Sequence, residues 1–235
     1  MTQPRALLFD VFGTVVDWRK SIMGNLERFF RSRGVPGDWE AFAAEWRALY
    51  QPAMAAVREG RRDYVILDVL HRENLDAVLA KRDLGGLNEA EKNQLNALWH
   101  RLDPWPDSAE GLRQLREKHV VAALSNGNIG MMANVARHGD LRWDAILGAD
   151  IARDFKPKPA VYLRAAEALG LRPGECMMVA AHNEDLAAAR ALGLATAFIL
   201  RADEHGPGQT TDLAPAQDWD VVTDSLTGLA ARLAA

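Results

Sequence analysis

Residues 6–14 read ALLFDVFGT, and this stretch decides the fold. The four apolar residues Ala6 to Phe9 are followed at once by Asp10 and, three residues on, by a Gly-Thr pair. A short apolar run bounded by turn-forming residues is typical of a buried strand, and the polar residues mark its end. The stretch therefore predicts a buried N-terminal strand with an aspartate at its carboxyl end.

Further strands of this kind are predicted only in the second part of the chain. After Pro104 and Pro106, short apolar runs alternate with helical patterns. The predicted strands are Val120–Leu124, Asp144–Leu147, Met177–Ala181, Ala195–Leu200 and Val221–Val222. Strands that alternate with helices form βαβ units, so we expect an α/β protein built on a parallel sheet.

The segment between these parts, residues 17–103, has a helical pattern and almost no strand signal. One apolar stripe with helical spacing consists of Phe42, Trp46, Leu49 and Ala53. We therefore expect residues 1–16 and 104–235 to form the sheet core and residues 17–103 to form a helical insertion. Asp17 is expected to cap the first helix of the insertion.

Composition excludes several classes of protein. Hydrophobic residues make up 49% of the 235 residues and charged residues 26%, which is ordinary for a globular protein. The net charge is −4 and no long basic run occurs, so neither a nucleic acid nor a membrane surface is an expected partner. No apolar segment is long enough for a signal peptide or a membrane span. The single cysteine, Cys176, fits a reducing environment, and we expect a cytoplasmic protein.

Side chains that can do chemistry follow several of the predicted strands. They are Asp10, the pair Ser125 and Asn126, the group His182, Asn183 and Asp185, and Lys156 in the loop DFKPKPAVY. In open parallel sheets, ligands bind beyond the carboxyl ends of the strands. A single aspartate at such a place is often only a helix cap, but caps do not explain the whole set. The set predicts an active site at this edge of the sheet.

Four sequence motifs carry a family resemblance. They resemble, in the same order, the motifs of the haloacid dehalogenase-like hydrolase superfamily. In this chain the motifs are FDVFGT, LSNGN, FKPKPAVY and VAAHNEDLAAARALG, and they span Asp10 to Gly193. The resemblance implies a Rossmann-like core, and the helical insertion is similar to the cap domain of that superfamily. It also implies an aspartyl nucleophile at Asp10.

Two positions distinguish the branches of this superfamily. Its phosphatases resemble this chain but carry a second aspartate two residues after the nucleophile, where this chain has Phe12. They also hold Mg²⁺ with acidic residues of the last motif, and the first of these matches Ala181, so that only Asp185 remains. A magnesium ion requires several oxygen ligands. We therefore expect no metal or other cofactor, and a phosphatase acting on a small metabolite becomes the alternative function.

The chain instead resembles the metal-free L-2-haloacid dehalogenases, whose substrates are short 2-haloacids such as haloacetates. In that branch the aspartate displaces halide, and water then hydrolyses the aspartyl ester to give the 2-hydroxy acid. The resemblance implies that Thr14 holds the carboxylate of Asp10 and that Lys156 keeps it ionised. A non-catalytic binding protein is a third hypothesis, and the retained Asp10, Thr14, Ser125, Lys156 and Asp185 argue against it.

The resemblance also assigns substrate-binding residues. The N–H groups of Val11 and Phe12 would hold the substrate carboxylate together with Ser125 and Asn126. In AEWRALY, the arginine that handles the halide is Arg47, although Arg58, Arg61 and Arg62 compete for this role. Tyr162 takes the tyrosine place of the lysine motif. Relatives are often dimers packed through the cap, so the resemblance makes a homodimer a candidate assembly.

The last motif departs from the dehalogenase pattern. The hydroxyl residues of that branch are replaced by alanines, and His182 stands where it usually has an asparagine, with Asn183 and Asp185 close behind. We therefore expect His182 or Asp185 to activate the hydrolytic water. The ordinary pKa of imidazole, about 6.5, suits a base near neutral pH.

Overall fold

The computed structural model describes residues 3–234. Its centre is a sheet of six strands, which are β1 (Ala6–Phe9), β4 (Val120–Ser125), β5 (Ala145–Gly148), β6 (Cys176–Ala180), β7 (Ala195–Ile199) and β8 (Val221–Thr223). Their order in the sheet is β5-β4-β1-β6-β7-β8, and every neighbouring pair is parallel. The predicted α/β class with a Rossmann-like parallel sheet is confirmed.

Strand β1 lies in the middle of the sheet because it is apolar on both faces. All four of its residues are fully buried, as expected for a strand that has helices packed on both sides. Phe9 is in register with Ala123 of β4 and with Val179 of β6. The segments that follow these three strands therefore leave the sheet at the same edge.

Helices cover both faces of the sheet. The helices of the core are α6 (Ser108–Leu115), α7 (Ile129–His138), α8 (Ala149–Ala152), α9 (Pro159–Ala168), α10 (Asn183–Ala191) and α11 (Leu226–Ala234). Leu7 and Phe9 pack into one apolar cluster, which also contains residues of the insertion, whereas Leu8 packs into a second cluster with α9 and α10. The short α8 has no counterpart in the sequence pattern.

Five α-helices and one 3-10 turn form the insertion between Trp18 and His100. The helices are α1 (Trp18–Arg31), α2 (Trp39–Ala48), α3 (Tyr50–Arg58), α4 (Leu67–Lys81) and α5 (Glu89–Asn96), and the turn is Ala97–His100. The carboxylate of Asp17 accepts a hydrogen bond from the N–H of Lys20 at 3.0 Å, so its predicted capping role is confirmed.

The chain enters and leaves the insertion through a small antiparallel ribbon. Its strands are β2 (Val16–Asp17) and β3 (Asp103–Pro104). Each strand has two residues and neither is an apolar run, so the sequence pattern does not predict the ribbon. The ribbon lies at both places where we set the boundaries of the insertion.

Within residues 3–234, no helix is both long enough and apolar enough to cross a membrane.

Candidate active site

The carboxylate of Asp10 lies directly beyond strand β1 and is held from several sides. The side chain of Thr14 donates a hydrogen bond to Oδ2 at 2.7 Å, and Lys156 Nζ donates to Oδ1 at 2.8 Å. Thr14 Oγ1 accepts in turn from the N–H of Ala181 at 2.8 Å, which joins the first loop to the end of β6. Asp10 is only 6% exposed, so its oxygens have fixed positions.

The positive charges around Asp10 keep its carboxylate ionised. Burial alone raises the pKa of Asp10, but the positive charges of Lys156 and His182 and their hydrogen bonds outweigh it, so the pKa lies well below its usual range. The pKa of Lys156 is raised, because the attraction of Asp10 and Asp185 exceeds the opposing effect of burial. A buried carboxylate that stays charged can act as a nucleophile.

Asp185 anchors the lysine from the other side. Its Oδ2 accepts from Lys156 Nζ at 2.5 Å, and its Oδ1 accepts from the hydroxyl of Tyr162 at 2.5 Å. Burial, followed by the negative charge of Asp185, raises the pKa of Tyr162, so its hydroxyl stays protonated and donates. Both oxygens of Asp185 are therefore occupied in fixing Lys156 and Tyr162, which makes His182 the better placed of the two predicted bases.

His182 lies between two carboxylates. Its Nδ1 is 3.3 Å from Asp10 Oδ2, and its Nε2 is 2.9 Å from Oε2 of Glu204. Burial lowers the pKa of His182, but Glu204 and Asp10 raise it well above the ordinary value. This differs from the sequence-based expectation of an imidazole with its ordinary pKa, since the sequence did not show that two acids flank the ring.

Glu204 is the main residue of this site that sequence reasoning missed. It is 1% exposed, and its Oε1 accepts from the indole N–H of Trp18 at 3.0 Å. It lies in the loop after β7, a few residues beyond the strand end at Ile199. Its position, an acid in the loop after a predicted strand, could have indicated a site residue. Glu204 lies outside the four sequence motifs, so it was not selected.

Gly13 allows Glu204 to approach the loop of Asp10. A Cβ atom on Gly13 would lie 2.1 Å from Glu204 Oε1, and the φ of Gly13 is +87°. Only glycine adopts this backbone conformation without strain and leaves that space open. The glycine of the first motif is therefore explained by the buried acid beside it.

Arg47 lies on α2 among aromatic rings. Its guanidinium carbon is 4.0 Å from the ring centre of Tyr50, 5.1 Å from that of Trp18 and 5.9 Å from that of Phe12. Its Nη1 is buried, and no described residue accepts a hydrogen bond from it. A cationic group with a buried, unused donor is a suitable place for an anion.

The competing arginines have other partners. Arg61 pairs with Glu59 and Arg62 pairs with Glu73, both at the surface. Arg58 donates to the backbone carbonyl of Lys156 at 3.1 Å. Of the four arginines, Arg47 is the one that faces the ring of Phe12, two residues after Asp10.

Val11, Phe12, Ser125 and Asn126 line the same edge of the sheet. Asn126 accepts from the N–H of Lys156 at 2.8 Å through Oδ1, which leaves its amide N–H groups to donate to a ligand. Ser125 Oγ accepts from the N–H of Gly127 at 3.0 Å, so its own proton can also be donated outward. The ring of Phe12 packs edge-on against Tyr50 and Trp99.

Asn183 is not brought to Asp10. Its Oδ1 accepts from the N–H of Ala216 and from the indole of Trp219, and its Nδ2 donates to Asp212. These bonds anchor the loop between β7 and β8, which also carries Glu204. The prediction that Asn183 belongs to the catalytic group came from its motif position alone, and its contacts favour a structural role.

The site has few ligands for a metal ion. Among residues 3–234, no group of three or more His, Cys, Asp or Glu side chains is arranged to hold one. The positions that match the phosphatase acids are Phe12 and Ala181, whose side chains have no oxygen atoms. A site without these two carboxylates is a poor match for an ion that prefers six oxygen ligands.

Comparison with known proteins gives a consistent picture. The family model for haloacid dehalogenase-like hydrolases matches residues 4–193. (S)-2-haloacid dehalogenase 4A of Burkholderia cepacia is 32% identical over 200 residues, which cover 84% of this chain and 83% of that protein. The defluorinating L-2-haloacid dehalogenase Rha0230, whose crystal structure is known, is 50% identical in sequence. Its structure matches this one with a TM-score of 0.97, and the match covers 99% of this chain and 96% of that one. An L-2-haloacid dehalogenase of Xanthobacter autotrophicus, solved with chloropropionic acid covalently bound, is 26% identical with a TM-score of 0.82, covering 98% of each chain.

Proposed function

The chain belongs to the haloacid dehalogenase-like hydrolase family, and on this premise we propose that it hydrolyses short 2-haloacids to 2-hydroxy acids through an ester on Asp10. It is a hydrolase that acts on carbon–halide bonds. The observation that carries the proposal is the buried, ionised carboxylate of Asp10 at the same site as Arg47, whose Nη1 has no acceptor among the described residues. The first group is suited to displace a halide and the second to receive it.

The first step is a displacement at carbon. An oxygen of Asp10 attacks the carbon that carries the halogen, the carbon–halogen bond breaks, and the halide leaves toward Arg47. The carboxylate of the substrate would be held by the N–H groups of Val11 and Phe12. The side chains of Ser125 and Asn126 would supply further donors.

The second step is hydrolysis of the ester. Water attacks the carbonyl carbon of the Asp10 ester, and His182 takes its proton in this proposal, which is supported by the 3.3 Å between its Nδ1 and Asp10 Oδ2. The carboxylate of Asp10 is regenerated and the 2-hydroxy acid leaves. Lys156 is held by Asp185, which in turn accepts from Tyr162, and it supplies positive charge to the carbonyl oxygen as negative charge develops there.

A halide assay decides between dehalogenase and phosphatase. We expect the enzyme to release chloride from (S)-2-chloropropionate at the same rate with or without EDTA, because neither Phe12 nor Ala181 can ligate a metal. Fluoroacetate should be included, since one relative is named as defluorinating. The control is p-nitrophenyl phosphate with added Mg²⁺. Phosphate release without chloride release would favour the alternative function.

Arg47 should be needed for halide departure. We expect Arg47→Gln to lower kcat/KM for (S)-2-chloropropionate by about 10²- to 10³-fold, the usual effect of losing a donor to developing charge. Arg61→Gln is the matched control, because Arg61 pairs with Glu59 at the surface. Equal activity of the two variants would show that the halide leaves elsewhere.

Location and assembly remain predictions. The single cysteine, Cys176, is buried and forms no disulfide, which supports a cytoplasmic location. The chemistry of the site requires one partner, the substrate. The predicted homodimer would be tested by measuring the molecular mass in solution by sedimentation.

A further inference from the structure

The ring of His182 bridges two acids from opposite ends of the chain. Nδ1 faces Asp10 at 3.3 Å and Nε2 faces Glu204 at 2.9 Å. An imidazole with an acidic acceptor at each nitrogen donates from both nitrogens only when it is protonated. A protonated ring has no lone pair and cannot accept a proton from water.

We propose that His182 is an imidazolium in the free enzyme and that ester formation on Asp10 converts it into the base for the next step. This inference rests on the proposed function, because it requires the ester. The nucleophile would thereby control the timing of its own release: the base becomes active only after the halide has been displaced.

Two acids face the ring of His182 directly, Asp10 at Nδ1 and Glu204 at Nε2. Behind them, Lys156 pairs with both Asp10 and Asp185, and the positive charges of Arg47 and His205 lower the pKa of Glu204. Alkylation removes the negative charge of Asp10 but leaves Lys156 and Arg47 in place. One of the two acids that raise the pKa of His182 is then lost while burial still opposes the charged ring, so the pKa of His182 falls.

Glu204 determines which nitrogen loses the proton. Its carboxylate keeps the Nε2 proton in a hydrogen bond of 2.9 Å and is itself fixed by the indole of Trp18. The proton therefore leaves Nδ1, the nitrogen that faces the ester. Glu204 acts as a positioning residue, because it sets the tautomer of His182 and touches no reacting atom.

The proton balance closes over one cycle. In the first step the Asp10 carboxylate forms a bond to carbon, halide leaves, and the Nδ1 proton of His182 passes to solvent. In the second step water adds to the ester carbonyl, one of its protons goes to Nδ1, and the ester C–O bond on the Asp10 side breaks. The other proton of the water goes to the departing alkoxide. The carboxylate, the imidazolium and the 2-hydroxy acid result, so no other reactant is needed.

The neutral variant Asp10→Asn imitates the charge of the ester and makes the inference testable without turnover. The test follows the imidazole ¹⁵N signals of histidine-labelled enzyme between pH 5 and 10, with His182 assigned by its absence in His182→Gln. In wild type the ring should be protonated at pH 7.5. In Asp10→Asn the ratio of imidazolium to imidazole at a given pH should fall at least about tenfold, and the neutral ring should carry its proton on Nε2.

Controls separate this inference from general effects of charge. Asp203→Asn removes a half-exposed carboxylate next to Glu204 that pairs with Lys20, and it should leave the titration of His182 unchanged. If Asp10→Asn does not fold, Asp10→Ser provides a second variant with an uncharged side chain at position 10. A neutral His182 in wild type at pH 7.5 would overturn the inference, and so would an unchanged titration in the neutral variants.

Failure of the proposed function would be seen separately. Chloride release is measured on the same wild-type sample with (S)-2-chloropropionate. No chloride would refute the dehalogenase, whatever the ¹⁵N spectra show. Chloride release with an unchanged His182 titration in the neutral variants would refute only the proton switch.

Discussion

Replacing Asp10 with asparagine should abolish chloride release from (S)-2-chloropropionate. An amide has no charged oxygen with which to attack carbon, whereas its shape is nearly that of the carboxylate. We expect a loss on the order of 10⁴-fold or more, as is typical when the nucleophile of a covalent mechanism is removed. The measurement is chloride release in a single-turnover and a steady-state assay.

The fold of the Asp10→Asn variant should survive. Lys156 keeps its partner Asp185, and Thr14 can still donate to the amide oxygen, so no buried charge is left alone. Circular dichroism should therefore show native helix content. Full chloride release by a variant whose mass confirms that the introduced amide is intact would contradict the mechanism, while regained activity with deamidation would support it.

Replacing His182 with alanine should separate the two steps of the reaction. Displacement does not need the imidazole as a base, but hydrolysis does, so we expect hydrolysis to slow by about 10²- to 10⁴-fold. Chloride should then appear as a burst close to one per active site. Mass spectrometry of the peptide that holds Asp10 should show the carbon skeleton of the substrate attached as an ester.

The matched control for His182 is His205. Its ring lies beside Glu204 and Trp18 but does not contact Asp10, so His205→Gln should keep full turnover. If His182→Ala turns over chloride at the wild-type rate with neither burst nor ester, the imidazole is not the base. Asp185, or Lys156 through a water, would then take that role.

The strands of the sheet were predictable because each lies in a distinct apolar run. Ala6–Phe9 is apolar on both faces, and its central position in the sheet follows from that. The ribbon of Val16–Asp17 and Asp103–Pro104 was not predictable, since neither of its strands is an apolar run. Local pattern reveals buried strands, but a pairing as short as the ribbon depends on tertiary contacts.

The site was predictable where motifs mark strand ends and not where a loop folds back. Asp10 and Lys156 were identified from motif and position, and the structure brings them to 2.8 Å. Glu204 reaches the site through a long loop whose course depends on anchors such as Asn183. Asn183 was predicted to be catalytic because it follows His182 in the chain, but its side chain turns away from Asp10 and anchors this loop instead.

The central place of β1 also sets a constraint on biosynthesis. The strand lies near the start of the chain, yet its two neighbours begin at Val120 and Cys176. Until these are translated a fully apolar segment has no partner, and such unpaired strands are prone to aggregate. The insertion is translated in this interval and consists of helices with local contacts. Leu7 and Phe9 pack into the same apolar cluster as residues of the insertion, so an insertion that folds during this interval would bury one face of the strand before its neighbours arrive.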